Sequence, residues 1–199
     1  TIIIDDNAGS QIATSTDGGQ TWTKSEPGQI DELTVAKGKI FGAGGTTGEG
    51  PSFYTLNEDM PGELARMMLD TDEGNLQEAR GIDTPDDGQT WLMAGTRDAG
   101  ARAWIKISTD DGATWRDADV NADDVAFFEE LVCVDDWCVA AGRRSLDDAG
   151  IAYESRDGGQ TWTRRNIGES VSPIYTARAA GDKIWLAGDG EDLLRLSRP

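Results

Sequence analysis

One eight-residue motif recurs along the chain at a regular spacing, and this repetition constrains the fold more than any other feature. The copies read "STDGGQTW", "STDDGATW" and "SRDGGQTW", at residues 15–22, 108–115 and 155–162. Their tryptophans are separated by 93 and then 47 residues, so the first interval is about twice the second. An interval in the forties predicts a tandem repeat whose unit is a four-stranded β-sheet.

A second marker, an Ala-Gly pair inside an apolar run, follows the same period. Its alanines are Ala43, Ala94, Ala141 and Ala187, separated by 51, 47 and 46 residues. Short runs rich in Val, Ile, Tyr and Trp lie between Gly and Asp turns, as is typical of β-strands. Helical character is weak, and its strongest segment, residues 62–72, falls where an outermost strand belongs.

We therefore predict an all-β chain with a single β-propeller domain of four-stranded antiparallel blades. There are about five blade units, at about 1–29, 30–75, 76–121, 122–168 and 169–199. The first unit begins at its second strand and the last lacks its fourth, which leaves about eighteen strands.

The composition restricts the partners that the chain can bind. Hydrophobic residues make up 37% of the 199 residues and 25 residues are glycine, which suits short strands and many turns. No apolar run is long enough to cross a membrane, and the net charge of −19 repels nucleic-acid phosphates. We expect neither a membrane span nor nucleic-acid binding.

The charge comes from 25 Asp and 12 Glu against 13 Arg and 5 Lys. A dense carboxylate shell with few lysines keeps a protein hydrated in concentrated salt, so we predict a high-salt environment. An acidic protein from ordinary salt is the alternative. No signal peptide is visible, and because the chain begins at Thr1 rather than Met, an upstream leader or segment is an open alternative.

The repeated motif has the form S/T-x-D-x-G-x-T-W. It resembles the Asp-box, or BNR repeat, of sialidases, other glycosidases, sortilin-type receptors and photosystem II assembly factors. Three copies carry every specified position, and the resemblance covers most of the chain. It implies a propeller in which each box is the turn between the third and fourth strands, on the face opposite the ligand site.

Each position of the motif has a role in folding. The Asp carboxylate accepts hydrogen bonds from the amides that follow it, Gly supplies a positive φ, and Trp buries a large ring. We interpret these residues as structural: Asp17, Gly19, Trp22, Asp110, Gly112, Trp115, Asp157, Gly159 and Trp162. A fourth copy, "TPDDGQTW" at residues 84–91, is out of register, and we predict a look-alike turn between first and second strands there.

Ligands are expected on the face built by the loops between second and third strands. Four arginines lie in or beside these loops: Arg97, Arg102, Arg143 and Arg144. On an acidic background, such a cluster predicts binding of a carboxylate, a sulfate or an acidic partner loop. Pairing of these arginines with Asp98, Asp147 and Asp148 is the alternative.

The resemblance to sialidases supplies the rival function, glycoside hydrolysis. Such a site needs three arginines around a carboxylate, a tyrosine nucleophile with its glutamate, and an acid aspartate. The innermost strands offer Tyr175, Glu78, Glu130, Arg80 and Arg178. However, the Arg-Ile-Pro motif of these enzymes is absent, and the chain is short for their six-bladed domain. His is also absent, as are phosphate-binding and dinucleotide motifs, so we predict no metal and no cofactor.

The two cysteines frame a predicted hairpin, "CVDDWC". A two-residue turn at Asp135-Asp136 places Cys133 opposite Cys138, where cross-strand side chains come closest. This register allows a disulfide, which implies an oxidising location. Two reduced, buried cysteines are the alternative.

Together these observations favour a non-catalytic binding or scaffold module. Its partner is expected to be a protein or a surface glycan, held by the loop face. We expect an extracellular or cell-surface location, with the cytoplasm of a high-salt organism as the alternative. The sequence does not determine the partner's identity, the true blade number or the oligomeric state.

Overall fold

The computed structural model describes residues 2–6, 9–25, 29–46, 50–56, 64–69, 76–97, 102–168, 171–190 and 192–198. Within these ranges the chain is all β, and its strands form five small sheets. We number the sheets as blades 1 to 5 in chain order. The described ranges hold no helix with the length and apolarity of a membrane span.

Apart from one short link strand in blade 4, consecutive strands pair antiparallel within every blade. Blade 1 contains β1 (Ile2–Asp6), β2 (Gly9–Thr14) and β3 (Thr23–Lys24). Blade 2 contains β4 (Ile30–Ala36), β5 (Lys39–Thr46), β6 (Gly50–Leu56) and β7 (Leu64–Met68). Blade 3 contains β8 (Leu76–Asp83), β9 (Trp91–Arg97), β10 (Arg102–Ser108) and β11 (Arg116–Asp117).

The last two blades differ in size. Blade 4 contains β12 (Asp119–Val120), β13 (Val125–Val134), β14 (Trp137–Arg144), β15 (Gly150–Ser155) and β16 (Thr161–Arg165). Blade 5 contains β17 (Ile174–Ala180), β18 (Lys183–Gly188) and β19 (Leu193–Ser197). The sequence did not predict β12, a link segment that pairs in parallel with β16 at the outer edge of blade 4. In contrast, the segment with weak helical character forms β7, as its register predicts.

The blades are arranged radially. The innermost described strands of successive blades contact one another, from β1 to β4, β8, β13 and β17. The ring is also bridged across its centre, because Arg178 on β17 lies 3.5 Å from Glu32 on β4. The predicted all-β propeller architecture is confirmed.

Apolar side chains fill the space between neighbouring blades. Between blades 2 and 3, the ring of Trp91 lies 4.3 Å from that of Phe41 and 5.3 Å from that of Phe53. Between blades 3 and 4, Leu92 and Phe128 belong to one buried cluster. A middle strand is therefore covered on both faces, which explains why these strands read as continuous apolar runs rather than as alternating ones.

The Ala-Gly marker is explained by a bulge in the innermost strand. An added Cβ at Gly95 would lie 1.9 Å from the carbonyl oxygen of Glu78, and one at Gly142 would lie 2.0 Å from that of Phe127. The strand register shifts beside both contacts, as it does at a β-bulge. Only glycine fits where the inner strand approaches so closely, so the marker is structural.

Candidate functional site

The innermost strands bring opposite charges together at the centre of the ring. Arg178 on β17 donates a hydrogen bond of 2.6 Å to Glu130 on β13, and its other terminal nitrogen reaches Glu32 on β4. Burial raises the pKa of the Glu130 carboxyl to about 8, and the charge of Glu32 adds to this effect. Arg178 therefore links blades 2, 4 and 5.

A second group of charges lies nearer the loop ends of the inner strands. Arg80 on β8 donates hydrogen bonds of 2.8 Å to both Glu78 and Glu129. The Nε of Arg143 on β14 lies 3.4 Å from the same Glu129. Both guanidinium groups lie over the ring of Phe127, at 5.5 and 4.2 Å from its centroid. The two arginines thus share a buried carboxylate of the protein itself.

Tyr175 pairs with a different carboxylate. Its hydroxyl is 3.4 Å from the carboxylate of Asp189, and within the described residues it bonds neither Glu78 nor Glu130. Loss of hydration raises the pKa of the Tyr175 phenol, and so does the charge of Asp189, whereas a tyrosine nucleophile needs activation. The five residues suited to a glycosidase are therefore divided among three groups: Arg178 with Glu130, Arg80 with Glu78, and Tyr175 with Asp189.

Two of the predicted loop-face arginines meet in blade 3. Arg97 and Arg102 are opposite each other on β9 and β10. They line a cavity of about 210 Å³ together with Asp117 and Asp123. The distance from Arg97 to Asp117 is 3.8 Å, so acidic and basic groups share the wall of this cavity.

The other two arginines separate, although they are adjacent on β14. Successive side chains of a strand leave opposite faces, so Arg143 turns to Glu129 while Arg144 turns away. Arg143 also pairs with Asp148 at 2.9 Å, and Arg144 pairs with Asp147. The four arginines therefore lie in three places rather than in one cluster. Asp98 lies outside the described residues.

Arg144 borders a larger cavity, of about 560 Å³, on blade 4. Sequence reasoning missed two of its residues, Arg164 and Arg165, which end β16 directly after a repeated turn. The signal was present as two adjacent cations at a strand end, in a segment that we interpreted as scaffold. Among the described residues, no three His, Cys, Asp or Glu side chains meet in a way that suits a metal ion.

The repeated turns lie at the opposite end of the sheets from these loops. In blade 4, the carboxylate of Asp157 accepts hydrogen bonds of 3.0 Å from the amides of Gln160 and Thr161. The hydroxyls of Thr161 and Ser155 donate to it at 2.6 and 2.7 Å. Burial raises the pKa of Asp157, but these hydrogen bonds outweigh it and lower the pKa overall.

The other two copies are built in the same way. Asp17 and Asp110 each accept hydrogen bonds from a threonine amide and hydroxyl four residues on, which lower the pKa of both carboxyls. In every copy the tryptophan indole donates to the glycine carbonyl three residues before it, in the pairs Trp22–Gly19, Trp115–Gly112 and Trp162–Gly159.

Comparison with known families now identifies these turns. The family model described as BNR/Asp-box repeat matches residues 13–24 and 153–164. The chain carries Asp-box repeats. No curated protein matches it. The middle box, at residues 108–115, shares the serine, threonine and tryptophan hydrogen bonds of the two that match. Its Ala113 amide donates to the backbone carbonyl of Asp110 rather than to the carboxylate.

Each Asp-box of blades 3 and 4 also docks onto the preceding blade. An added Cβ at Gly159 would lie 2.4 Å from the Leu92 side chain of blade 3, and one at Gly112 would lie 2.6 Å from Phe53 of blade 2. Both glycines have positive φ, at 87° and 84°. The box glycine therefore serves the turn and the contact between blades at once.

The fourth copy of the motif lies between β8 and β9, as predicted. It nevertheless shares some internal bonds of an Asp-box, because the amide of Thr90 donates to Asp86 at 2.6 Å and that of Gly88 donates to Thr84 at 2.6 Å. It contacts blade 2 through Asp87, whose carboxylate accepts a hydrogen bond from the amide of Lys37. This turn thus resembles an Asp-box in chemistry but occupies another position in the blade.

The cysteine hairpin also has the predicted register. Cys133 is opposite Cys138, and Val134 is opposite Trp137. The two sulfurs form a disulfide, with 4.1 Å between the Cα atoms. Cys138 is fully buried in the cluster between blades 3 and 4, so the bridge lies against the core rather than at a ligand site.

Proposed function

We propose that this chain is a non-catalytic Asp-box propeller module that binds a protein or a surface glycan through the loop face of blades 4 and 5. The loop face is defined here by the β14–β15 loop, residues 145–149, and the described residues of the β18–β19 loop, residues 189, 190 and 192. A ring of sheets supplies a rigid platform for such loops.

The exposure of Leu146 carries this proposal. Leu146 is 95% exposed, in the β14–β15 loop. The loop is nevertheless held firmly, because the amide of Arg144 donates to the carbonyl of Ala149 at 2.9 Å and Arg144 pairs with Asp147. An exposed leucine side chain is unfavourable in the water around the free protein, so burying it favours binding. A preorganised loop loses little conformational entropy when a partner binds.

A second exposed side chain extends this surface. Tyr175 is 44% exposed. Loss of hydration and the charges of Asp189 and of Asp148, which is on the β14–β15 loop, raise the pKa of its phenol. Arg143 is near the same phenol. Tyrosine and arginine are enriched among residues that dominate binding energy in interfaces, which supports recognition by this face.

The charge pairs support the non-catalytic part of the proposal. Arg178 is held by Glu130 and Glu32, and Arg80 is held by two further carboxylates of the protein. A sialidase-like mechanism would require these cations to face a substrate carboxylate together, beside an activated tyrosine.

The disulfide supports an extracellular or cell-surface location, and the excess of Asp over Lys supports a high-salt environment.

The test compares the loop face with the opposite face. Binding of the purified chain to a glycan array and to cell-envelope proteins of a high-salt organism is measured with the variants Leu146→Ala, Tyr175→Ala and Val35→Ala. Val35 is 68% exposed beside the turn that carries Lys37, at the Asp-box end of the sheets, and is the matched control. We expect the first two variants to weaken binding roughly tenfold and the control to leave it unchanged.

Two results would contradict the proposal. Equal weakening by Val35→Ala would show that the loop face is not the contact. Turnover of a fluorogenic sialoside or glucoside in high salt, abolished by Arg178→Gln, would establish the glycosidase instead.

A further inference from the structure

We propose that the cavity of about 560 Å³ on blade 4 binds an oxyanion group, a carboxylate or a sulfate. This inference deepens the proposed function, on which it rests, by naming the chemical group that the loop face recognises. The cavity is lined by Arg144, Arg164, Arg165, Gly150, Asn166 and Gly168, together with apolar neighbours.

The cavity is assembled from three strand ends. Arg144 ends β14, Gly150 begins β15, and Arg165 ends β16, so all three meet at the loop side of the blade. Gly150 lines the cavity, and its amide donates to the carbonyl of Val171 at 2.8 Å in the link to blade 5. A side chain at Gly150 would lie 2.4 Å from the Ser172 carbonyl oxygen, which keeps this wall tight.

Each arginine of the cavity is positioned by a carboxylate that is not part of the lining. Arg164 pairs with Asp124 at 3.0 Å through Nη1. Arg165 pairs with Glu154 at 3.1 Å, also through Nη1. Arg144 pairs with Asp147 through Nη2. Each guanidinium group is thereby held in place. By strand alternation, Arg164 lies on the same face of the sheet as Arg144, whereas Arg165 lies on the opposite face.

Each of these ion pairs uses one terminal nitrogen and leaves donors on the rest of the guanidinium. An arginine carries five N–H donors in a planar fork, which suits two-pronged binding of a carboxylate or sulfate. The Nε of Arg144 is buried and has no hydrogen-bond partner within the described residues. An oxyanion in the cavity would satisfy donors of this kind, and a buried donor without a partner is otherwise costly.

The charge of the lining decides which ligand fits. None of the described lining residues is acidic, although the chain has 37 acidic residues against 18 basic ones. The smaller cavity of blade 3 differs, because Asp117 and Asp123 lie in its wall beside Arg97 and Arg102. The lining of the blade 4 cavity therefore presents arginine donors and no carboxylate, although each arginine is paired with a carboxylate outside the lining. This lining favours an anion over a cation.

Calorimetric titration at constant KCl tests the proposal with three probes: sodium sulfate, methyl β-glucuronide and the uncharged methyl β-glucoside. We expect saturable binding of an anionic probe and none of the glucoside. Arg144→Gln and Arg164→Gln should each weaken binding roughly tenfold or more, the usual effect of losing a charged hydrogen bond. Arg156→Gln is the matched control, because Arg156 pairs with the same Glu154 at 2.7 Å but does not line the cavity.

The outcomes are distinct. Preference for the glucuronide assigns the site to a sugar carboxylate, preference for sulfate assigns it to a sulfate group, and either result supports an oxyanion site. Absence of saturable binding by both anions, or equal loss in Arg156→Gln, overturns it. Circular dichroism verifies folding, and if Arg144→Gln unfolds, the exposed Arg164 carries the test. Because Leu146→Ala should leave anion binding intact, failure of this site is distinguishable from failure of the loop-face proposal.

Discussion

The contribution of an Asp-box tryptophan to stability depends on how far the neighbouring blade buries its ring. Trp162 is 5% exposed and packs in the cluster that contains Leu92 of blade 3. The ring centroid of Trp115 lies 5.7 Å from that of Phe53 in blade 2. Trp22 is 45% exposed, and within the described residues no earlier blade covers it. The hydrogen bond from the indole to the glycine carbonyl is present in all three copies, so the tryptophans differ in burial and not in this bond.

This difference predicts unequal costs for the same substitution. Trp162→Ala removes a buried ring and should destabilise the protein by about 3–5 kcal/mol. Trp22→Ala removes a ring that is nearly half exposed and should cost less than ~2 kcal/mol. Urea denaturation at constant KCl, followed by tryptophan fluorescence and circular dichroism, measures both. Equal costs would show that the internal bonds of the box, rather than the contact between blades, determine its contribution.

Glu130 predicts a pH dependence with a defined sign. Its pKa in the folded protein is raised to about 8 from an ordinary value of 4.5. The folded state therefore binds the proton more tightly, so the contribution of Glu130 to stability is full below pH 4.5 and is lost as the pH rises towards 8. Glu130→Gln should flatten this decline, measured as the difference in unfolding free energy between variant and parent across this range.

Glu154 is the matched control for the pH experiment. Burial opposes ionisation of Glu154, but hydrogen bonds and charges from Arg156 and Arg165 lower its pKa overall. Its contribution is therefore present above the ordinary value of 4.5 and is lost as the pH falls. Glu154→Gln should be most costly at neutral pH. The same pH profile in both variants would contradict the assignment of Glu130.

At the scale of strands and turns, the sequence predicted what depends on local register. The two-residue turn at residues 135–136 determines that Cys133 faces Cys138, and the position of Thr84–Trp91 in the repeat distinguishes that turn from a true box. The charge pairs did not follow from the sequence. Partners such as Arg178 and Glu32 are far apart in the chain and meet only because the blades form a ring.

The blade 4 cavity shows the same limit. Arg143 and Arg144 look equivalent in the sequence, but strand alternation sends one to Glu129 and the other to the cavity. Arg164 and Arg165 join Arg144 only because β16 ends beside the β14–β15 loop. Neighbouring cations in the sequence thus predict the chemistry of a site better than they predict which residues line it.

The disulfide hairpin predicts a modest response to reduction. The bridge closes a loop between residues only 5 positions apart, so it restricts the unfolded chain little, and its removal should cost roughly 2 kcal/mol. Thermal unfolding with and without a reductant measures this cost. The Cys133→Ala/Cys138→Ala variant should already be destabilised and should not respond to the reductant. A response in that variant, or none in the parent protein, would contradict the role assigned to the bridge.

For the whole molecule, some of the cations link one blade to another, whereas most ion pairs of the described residues lie within a blade. Arg80 joins blade 3 to Glu129 of blade 4, and Arg178 joins blade 5 to Glu130 and Glu32. Lys37 of blade 2 pairs at 2.9 Å with Asp111, which follows the motif residue Asp110 in the Asp-box of blade 3. The chain has 18 basic residues against 37 acidic ones, so pairing within and between blades leaves an excess of carboxylates on the protein.

This distribution predicts that salt stabilises the fold. The net charge of −19 repels itself across the surface, and raising KCl from ~0.1 M to ~1 M shortens the screening length from about 10 Å to about 3 Å. Buried pairs such as Arg80–Glu129 are screened much less, so relief of repulsion should exceed the loss of attraction. The melting temperature should therefore rise with KCl. Sorbitol at equal osmolality is the control, because it stabilises by exclusion without screening charge. A melting temperature that is flat or falls with KCl, or that rises equally in sorbitol, would show that the acidic surface is not what requires salt.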